Sequence, residues 1–295
     1  MKLSILSAIA AAVMVTSAFQ PAAAAEPIKV GSKNFTEQYI LAEMYAALLE
    51  KAGFQVERKI NLGGTMIAQQ ALTTGAIDLY PEYTGTALSA VVKGTMSTDP
   101  GKVYNDVKDF YAKQFNLTWL KPTGINNGYV IVVRQATADA DKLKTLSDLA
   151  KVSGTLVFGG GAEFPDRADG LPGLKRVYSA EFKEFKQFAK LGLRYDALAQ
   201  KDIDVVNGAA TDWQIGAKGL VALDDDKGLF PPYYLAPVVR QQALDANPKM
   251  KDVLEALGSH LDNATMRVLN AKVENDHEEP KDVAEAFLKE KGLLP

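Results

Sequence analysis

The sequence predicts an α/β fold in two lobes with a ligand cleft between them. Three observations carry that expectation. Strand, helix, strand, helix, strand follow one another within about 55 residues from Ile28 to Tyr80, the rhythm of a mainly parallel sheet covered by helices. A second such rhythm starts at the apolar run Tyr129-Val-Ile-Val-Val-Arg134, with no Pro-, Gly- or Ser-rich linker before it. The chain then turns helical from Pro248 onward. The first lobe is therefore expected to be discontinuous, residues 26–128 with 234–295, and the second to be residues 129–233. A cleft between two such lobes is a usual place for a small ligand.

The elements follow in order. Residues 1–25 read as an export signal: Lys2, an apolar stretch at 3–18, then Ala23-Ala24-Ala25 as the cleavage site. Ile28 and Val30 open a strand that turns at Gly31. In the next helix Asn34 or Thr36 is the expected cap, with Glu37 completing a capping box. Ile40, Leu41, Met44, Leu48 and Leu49 share one face, and Gly53 ends the helix. Val56, Arg58 and Ile60 alternate as a second strand. Gly63-Gly64-Thr65 opens a helix to Thr74 that Gly75 closes, and 77–80 form a third strand. In the second half, 135–142 read as a polar linker, 145–151 as a capped helix and 155–158 as a strand. Residues 170–178 and 182–190 read as helical or loop segments. A short helix at 195–200, strands at 203–206 and 220–223, and a helix beginning at Thr211-Asp212-Trp213 complete that half. Gly159-Gly160-Gly161 lacks the lysine and hydroxyl residue of a phosphate loop. Asp224-Asp225-Asp226 is spaced as a solvated turn rather than a calcium loop.

Composition narrows the function. The chain of 295 residues has no cysteine, which excludes disulfides, thiol chemistry and a lipid-bearing N-terminal cysteine. Without Lys2 the expected mature chain carries 33 less 1, or 32, basic residues against 36 acidic ones, too little for a nucleic-acid stripe. The two histidines, His260 and His277, stand beside no nucleophile and in no metal-ligand spacing. No catalytic residue, cofactor or metal is expected, and binding is expected rather than turnover. Glu82, the one carboxylate placed for a general base, reads more simply as hydrogen-bonded within its own turn.

The richest stretch is Asp78-Leu-Tyr-Pro-Glu-Tyr-Thr-Gly-Thr86. Its counterpart downstream is Phe230-Pro-Pro-Tyr-Tyr-Leu-Ala-Pro237. Aromatic faces beside hydroxyls suit a ligand with a bulky cation at one end and an anion at the other. Packed tyrosine filler is the plain alternative.

Val30-Gly-Ser-Lys-Asn-Phe-Thr-Glu-Gln38, Leu62-Gly-Gly-Thr65, the run from Gly75 to Thr86 and Asn126-Asn-Gly-Tyr129 together resemble one family. So do Ala162-Glu-Phe164, Asp166-Arg167, Gly170-Leu-Pro-Gly173, Leu193-Arg-Tyr-Asp-Ala-Leu198, Thr211-Asp212 and Phe230-Pro-Pro-Tyr233 with Ala236-Pro237. The chain is similar to periplasmic substrate-binding proteins of osmoprotectant ABC transporters, which take glycine betaine, choline or carnitine. The resemblance implies the two-lobed type II periplasmic binding protein fold and permease subunits as partners. It implies closure around a quaternary ammonium ligand. The export signal and the absence of a lipid-bearing cysteine point to a soluble protein in the periplasm, with a monomer the default for a receptor of this size. The resemblance further implies that Tyr83, Tyr129 and Tyr233 box the ammonium. Lys33, Thr86 and Arg167 would hold the ligand carboxylate, with Thr65 and Asn127 as further polar contacts. Read without the family, Arg167 pairs equally well with Asp166 or Asp169 and Lys33 is equally well solvated. The family usually has a tyrosine two residues before the Thr-Asp pair, where this chain has Ala209. Trp213, one helical turn on, fits either that missing wall or a core position.

Overall fold

The computed structural model describes residues 26–190 and 192–295; the expected export signal lies outside them. Among the described residues ten strands form two five-stranded sheets. They are β1 (Ile28–Gly31), β2 (Val56–Lys59), β3 (Leu79–Tyr83), β4 (Leu117–Trp119), β5 (Tyr129–Arg134), β6 (Val157–Gly160), β7 (Glu184–Gln187), β8 (Val205–Ala209), β9 (Leu220–Leu223) and β10 (Leu235–Arg240). The first sheet runs β2-β1-β3-β10-β4 and the second β7-β6-β8-β5-β9. The fold is thus α/β in two lobes.

Each sheet is mixed rather than mainly parallel. β1 lies parallel to β2 and β3, and β6 parallel to β7 and β8, as helical crossovers require. β5 and β10 arrive from the other lobe instead and run antiparallel to both neighbours. Their apolar runs are explained by burial on both faces. Ile131 and Val133 enter one core while Val132 enters another; Leu235 and Val239 likewise part from Ala236 and Val238.

Four other expectations change. The third strand is Leu79–Tyr83, longer than the pattern reads because Pro81 looks like a breaker. Pro81 faces Pro237 of β10, a position where neither residue owes a ladder hydrogen bond. The polar 135–142 segment is largely the helix Gln135–Asp141, which buries only Ala138 and so shows no apolar period. The 182–190 segment holds β7, an exposed edge strand whose Glu-Phe-Lys-Gln sequence carries no apolar alternation. The helix Thr36–Lys51 is preceded by Phe35, and no side chain caps it; Glu37 turns inward instead of closing a capping box. Two signals hold as read: Gly75, at φ 78°, ends the helix Thr65–Thr74 in the left-handed conformation, and Thr145 and Asp148 form a capping box. The helix Pro100–Phe115 and the strands β4 and β10 add to the elements read from the sequence.

The two connections between lobes run side by side. Asn126 and Tyr234 form an antiparallel bridge, and Asn127 N–H donates to the Tyr233 carbonyl at 3.1 Å. Asn127, Tyr129 and Tyr233 therefore stand at the crossing itself.

Candidate functional site

The carboxyl ends of the parallel strands of both sheets face one cavity of about 520 Å³, the usual ligand position in open α/β sheets. The turn after β1 supplies Lys33, Phe35 and Glu37. The loop after β2 supplies Gly63, Gly64 and Thr65, and the end of β3 supplies Tyr83 and Thr86. The segment after β6 supplies Glu163, Phe164 and Arg167, and β8 with its turn supplies Asn207, Ala209, Thr211 and Asp212. The lobe crossings add Asn127, Tyr129 and Tyr233, and the helix Asn263–Glu274 adds Asn270 and Glu274. Two helices, Thr36–Lys51 and Thr65–Thr74, begin at this wall, so their unpaired N–H groups give it a partly positive character.

Of the residues singled out in the sequence, Lys33, Thr65, Tyr83, Thr86, Asn127, Tyr129, Arg167 and Tyr233 all line this cavity. Trp213 is not among its lining residues; its indole N–H donates to Glu274 Oε2 at 2.9 Å. The aromatic groups pack in two clusters. Tyr129 meets Tyr233 edge-on at 5.6 Å between centroids and Phe164 at 5.3 Å, and Phe35 stacks on Tyr83 at 6.4 Å. Gly85 lets the Tyr233 ring close on β3: a Cβ there would lie 2.7 Å from Tyr233 Cδ1.

The tyrosines are anchored by their hydroxyls. Tyr83 O–H donates to Glu37 Oε1 at 2.6 Å, and Tyr233 O–H donates to Asp169. Burial pushes both phenols well above their ordinary range, with the adjacent carboxylates adding to the rise, so both are donors at neutral pH. Burial likewise raises Tyr129.

The cations along the cavity are already paired. Lys33 is buried, not solvated, and its Nζ lies 2.6 Å from Glu82 Oε1 and 4.9 Å from the Tyr83 ring centroid. Glu82 lies in β3 rather than in a turn, and besides Lys33 it accepts from its strand neighbours, the Tyr80 O–H and the Tyr83 N–H. Arg167 pairs with Asp169 rather than Asp166, through Nε at 2.8 Å and Nη2 at 2.6 Å, and the pair is buried rather than at the surface. Its Nη2 also reaches Ser89 Oγ at 2.8 Å, and its guanidinium carbon sits 5.2 Å from the Tyr129 ring centroid. Arg194 pairs with Asp212 at 2.8 Å. These side chains therefore offer directed N–H groups more than net charge.

Sequence reasoning missed the most connected residue. Glu37, 2 % exposed, accepts from Tyr83 O–H, Asn127 Nδ2, Thr211 Oγ1 and Asn270 Nδ2. Burial raises its carboxyl above the ordinary value, and these four donors pull it back in part. A glutamate beside Thr36 at a helix start reads as a cap, and nothing local says that it turns inward. Phe35 and Phe164 sit inside motifs quoted above. Asn207 and Asn270 carry no sequence signal.

Residues 26–290 match the family model described as the substrate binding domain of an ABC-type glycine betaine transport system. The chain is 33 % identical over 291 residues to a glycine betaine-binding protein of Escherichia coli K12, covering 95 % of each. It is 36 % identical over 269 residues to an ergothioneine transport permease/ergothioneine binding protein of Helicobacter pylori; that match takes in 91 % of this chain and 48 % of the relative, so the chain spans about half that protein's length. A solved structure titled as a glycine betaine/carnitine/choline ABC transporter superposes with a TM-score of 0.72 at 31 % identity, over 90 % of this chain and 99 % of the other. Fold, cavity position and these likenesses agree: the chain belongs to the family of substrate-binding domains of ABC-type glycine betaine transport systems.

Proposed function

We propose that the chain captures a small quaternary ammonium compound of the glycine betaine type in the interlobe cavity and delivers it to the permease of an ABC transporter. The observation that carries this reading is the convergence of Tyr83, Tyr129 and Tyr233, with Phe35 and Phe164, on one cavity. A trimethylammonium group donates no strong hydrogen bond, so a carboxylate alone selects it poorly. An aromatic face attracts it by about 0.5–2 kcal/mol once water is excluded. Three rings together supply a few kcal/mol, a large part of the roughly 8 kcal/mol of micromolar binding. Lys33 and Arg167 already lie against the Tyr83 and Tyr129 rings, which supports those rings as seats for a cation.

The ligand's carboxylate meets Thr65, Thr86 and the free N–H groups of Lys33 and Arg167, near the starts of the two helices. Asn127 is a further polar contact, and Trp213 acts through Glu274 rather than as a wall of the box. The compounds named for the relatives, glycine betaine, carnitine, choline and ergothioneine, share a trimethylammonium group. Residues 26–128 with 234–295 form one lobe and 129–233 the other. The role is binding without turnover, carried out by a monomer in the periplasm.

The test is a calorimetric titration of the purified protein with glycine betaine, choline, carnitine and proline betaine, against a neutral sugar and an unmethylated amino acid. Heat from at least one quaternary ammonium compound and none from the controls is expected. Heat from the controls alone overturns the reading.

A further inference from the structure

Among the described residues the buried carboxylates are Glu37, Glu43, Glu82 and Asp169. Three of them are matched by a cation: Glu43 by Arg58, Glu82 by Lys33 and Asp169 by Arg167. Glu37 stands in the cavity wall and has only neutral side chains around its oxygens; among the described residues it forms no ion pair. The cations along the cavity are committed elsewhere, since Arg194 pairs with Asp212 as Lys33 and Arg167 do with their own partners. A buried charge without a counter-charge is costly, and folded proteins nearly always supply one.

The bonds around Glu37 suit its ionised form. Tyr83 O–H and Asn127 Nδ2 donate to Oε1, and Thr211 Oγ1 and Asn270 Nδ2 donate to Oε2. The two amides are not free to turn round and accept. Asn127 Oδ1 already takes the Thr211 N–H at 3.1 Å, and Asn270 Nδ2 also donates to the Thr211 carbonyl at 3.2 Å. This shell holds a negative charge in place without cancelling it. One of its donors leads to the ligand: Tyr83 lines the cavity, and its hydroxyl lies 2.6 Å from Glu37 Oε1. A hydrogen bond given to an anion returns electron density to the ring and strengthens its pull on a cation. The charge itself also acts across those few ångströms of low-dielectric wall.

Resting on the function proposed above, we infer that Glu37 is the counter-ion of the ligand's quaternary ammonium and sets the preference of the cavity for a positive charge over a neutral group of the same shape. It is a positioning residue that acts through Tyr83 and touches no ligand atom. The rings supply faces that fit either group; the carboxylate at the hydroxyl end of Tyr83 distinguishes the two by charge. The missing partner of Glu37 is then the ligand itself.

The probes are glycine betaine and 3,3-dimethylbutanoate, whose tert-butyl group is the neutral copy of the trimethylammonium, titrated calorimetrically into the whole chain. Choline and 3,3-dimethylbutanol serve in the same way if the protein takes choline instead. Wild type is expected to favour the ammonium compound at least tenfold, and Glu37→Gln to cut that ratio at least fivefold. Glu37→Asp keeps the charge, so it is expected to weaken both compounds and to hold the ratio within about twofold of wild type. A ratio that Glu37→Gln leaves unmoved overturns this inference and leaves the proposed function standing. So does a ratio lost equally in Glu37→Asp, which would make the role one of shape and not of charge. A wild type that binds each compound and its neutral copy alike overturns it as well. If glycine betaine, choline and carnitine all fail to bind wild type, both readings fall. Should Glu37→Gln fail to fold, Glu37→Asp decides alone: a kept ratio supports the inference and a lost one overturns it.

Discussion

Glu37 is fixed by four donors and almost wholly buried in the cavity wall. Its carboxyl holds a proton more tightly in the folded chain than in the unfolded one, whose glutamates release theirs near pH 4.3. As pH rises from there, the unfolded state loses its proton first, and stability falls until the raised folded value is passed. Urea unfolding of wild type and Glu37→Gln between pH 4.5 and 8 checks this: wild type is expected to lose stability relative to the variant as pH rises, and parallel curves contradict it. The tyrosines give a second prediction at this scale. Tyr83→Ala or Tyr233→Ala is expected to weaken glycine betaine binding about tenfold, near the upper part of the range for one cation–π face. Phenylalanine at either position keeps the ring and most of the affinity. Equal losses for alanine and phenylalanine would move the role from the ring to the hydroxyl.

At the scale of elements, local chemistry and tertiary context divide the work. The helix Thr65–Thr74 was legible to the residue, because Gly63-Gly64 opens it and Gly75 closes it in a conformation that disfavours side chains. Gly75→Ala is expected to cost about 1–2 kcal/mol in chemical denaturation, the penalty of a Cβ in the left-handed region. β5 was legible because burial on both faces writes a continuous apolar run. Ile131→Ala is expected to cost about 2–5 kcal/mol as a core truncation. β7 was not legible, since an exposed edge strand needs no apolar face, and β3 was cut short by a proline that its partner strand accommodates. Of the site, the aromatic and hydroxyl residues near β3 and the lobe crossings stood out because they cluster in sequence. Glu37, Asn207 and Asn270 come from three distant segments and meet only through the fold.

At the scale of the molecule, the cavity is held between lobes that bond to each other across it. Arg167 reaches Ser89, Thr211 reaches Glu37, and Trp213 and Gln214 both donate to Glu274. Hydrogen bonds to a charged group contribute about 1.5–3 kcal/mol each. Glu274→Ala removes two at once and is expected to favour separated lobes, raising the radius of gyration in solution scattering and weakening glycine betaine binding. An unchanged radius would mean that the remaining contacts hold the lobes together alone.

The central claim is that the rings of Tyr83, Tyr129 and Tyr233 select a positive charge and not merely a bulky group. It is tested most directly by titrating the protein with glycine betaine and with its carbon counterpart, 3,3-dimethylbutanoate, in which a neutral tert-butyl group replaces the trimethylammonium, under identical conditions. Binding at least tenfold tighter for the ammonium compound is predicted; equal affinity, or preference for the carbon analogue, would contradict it.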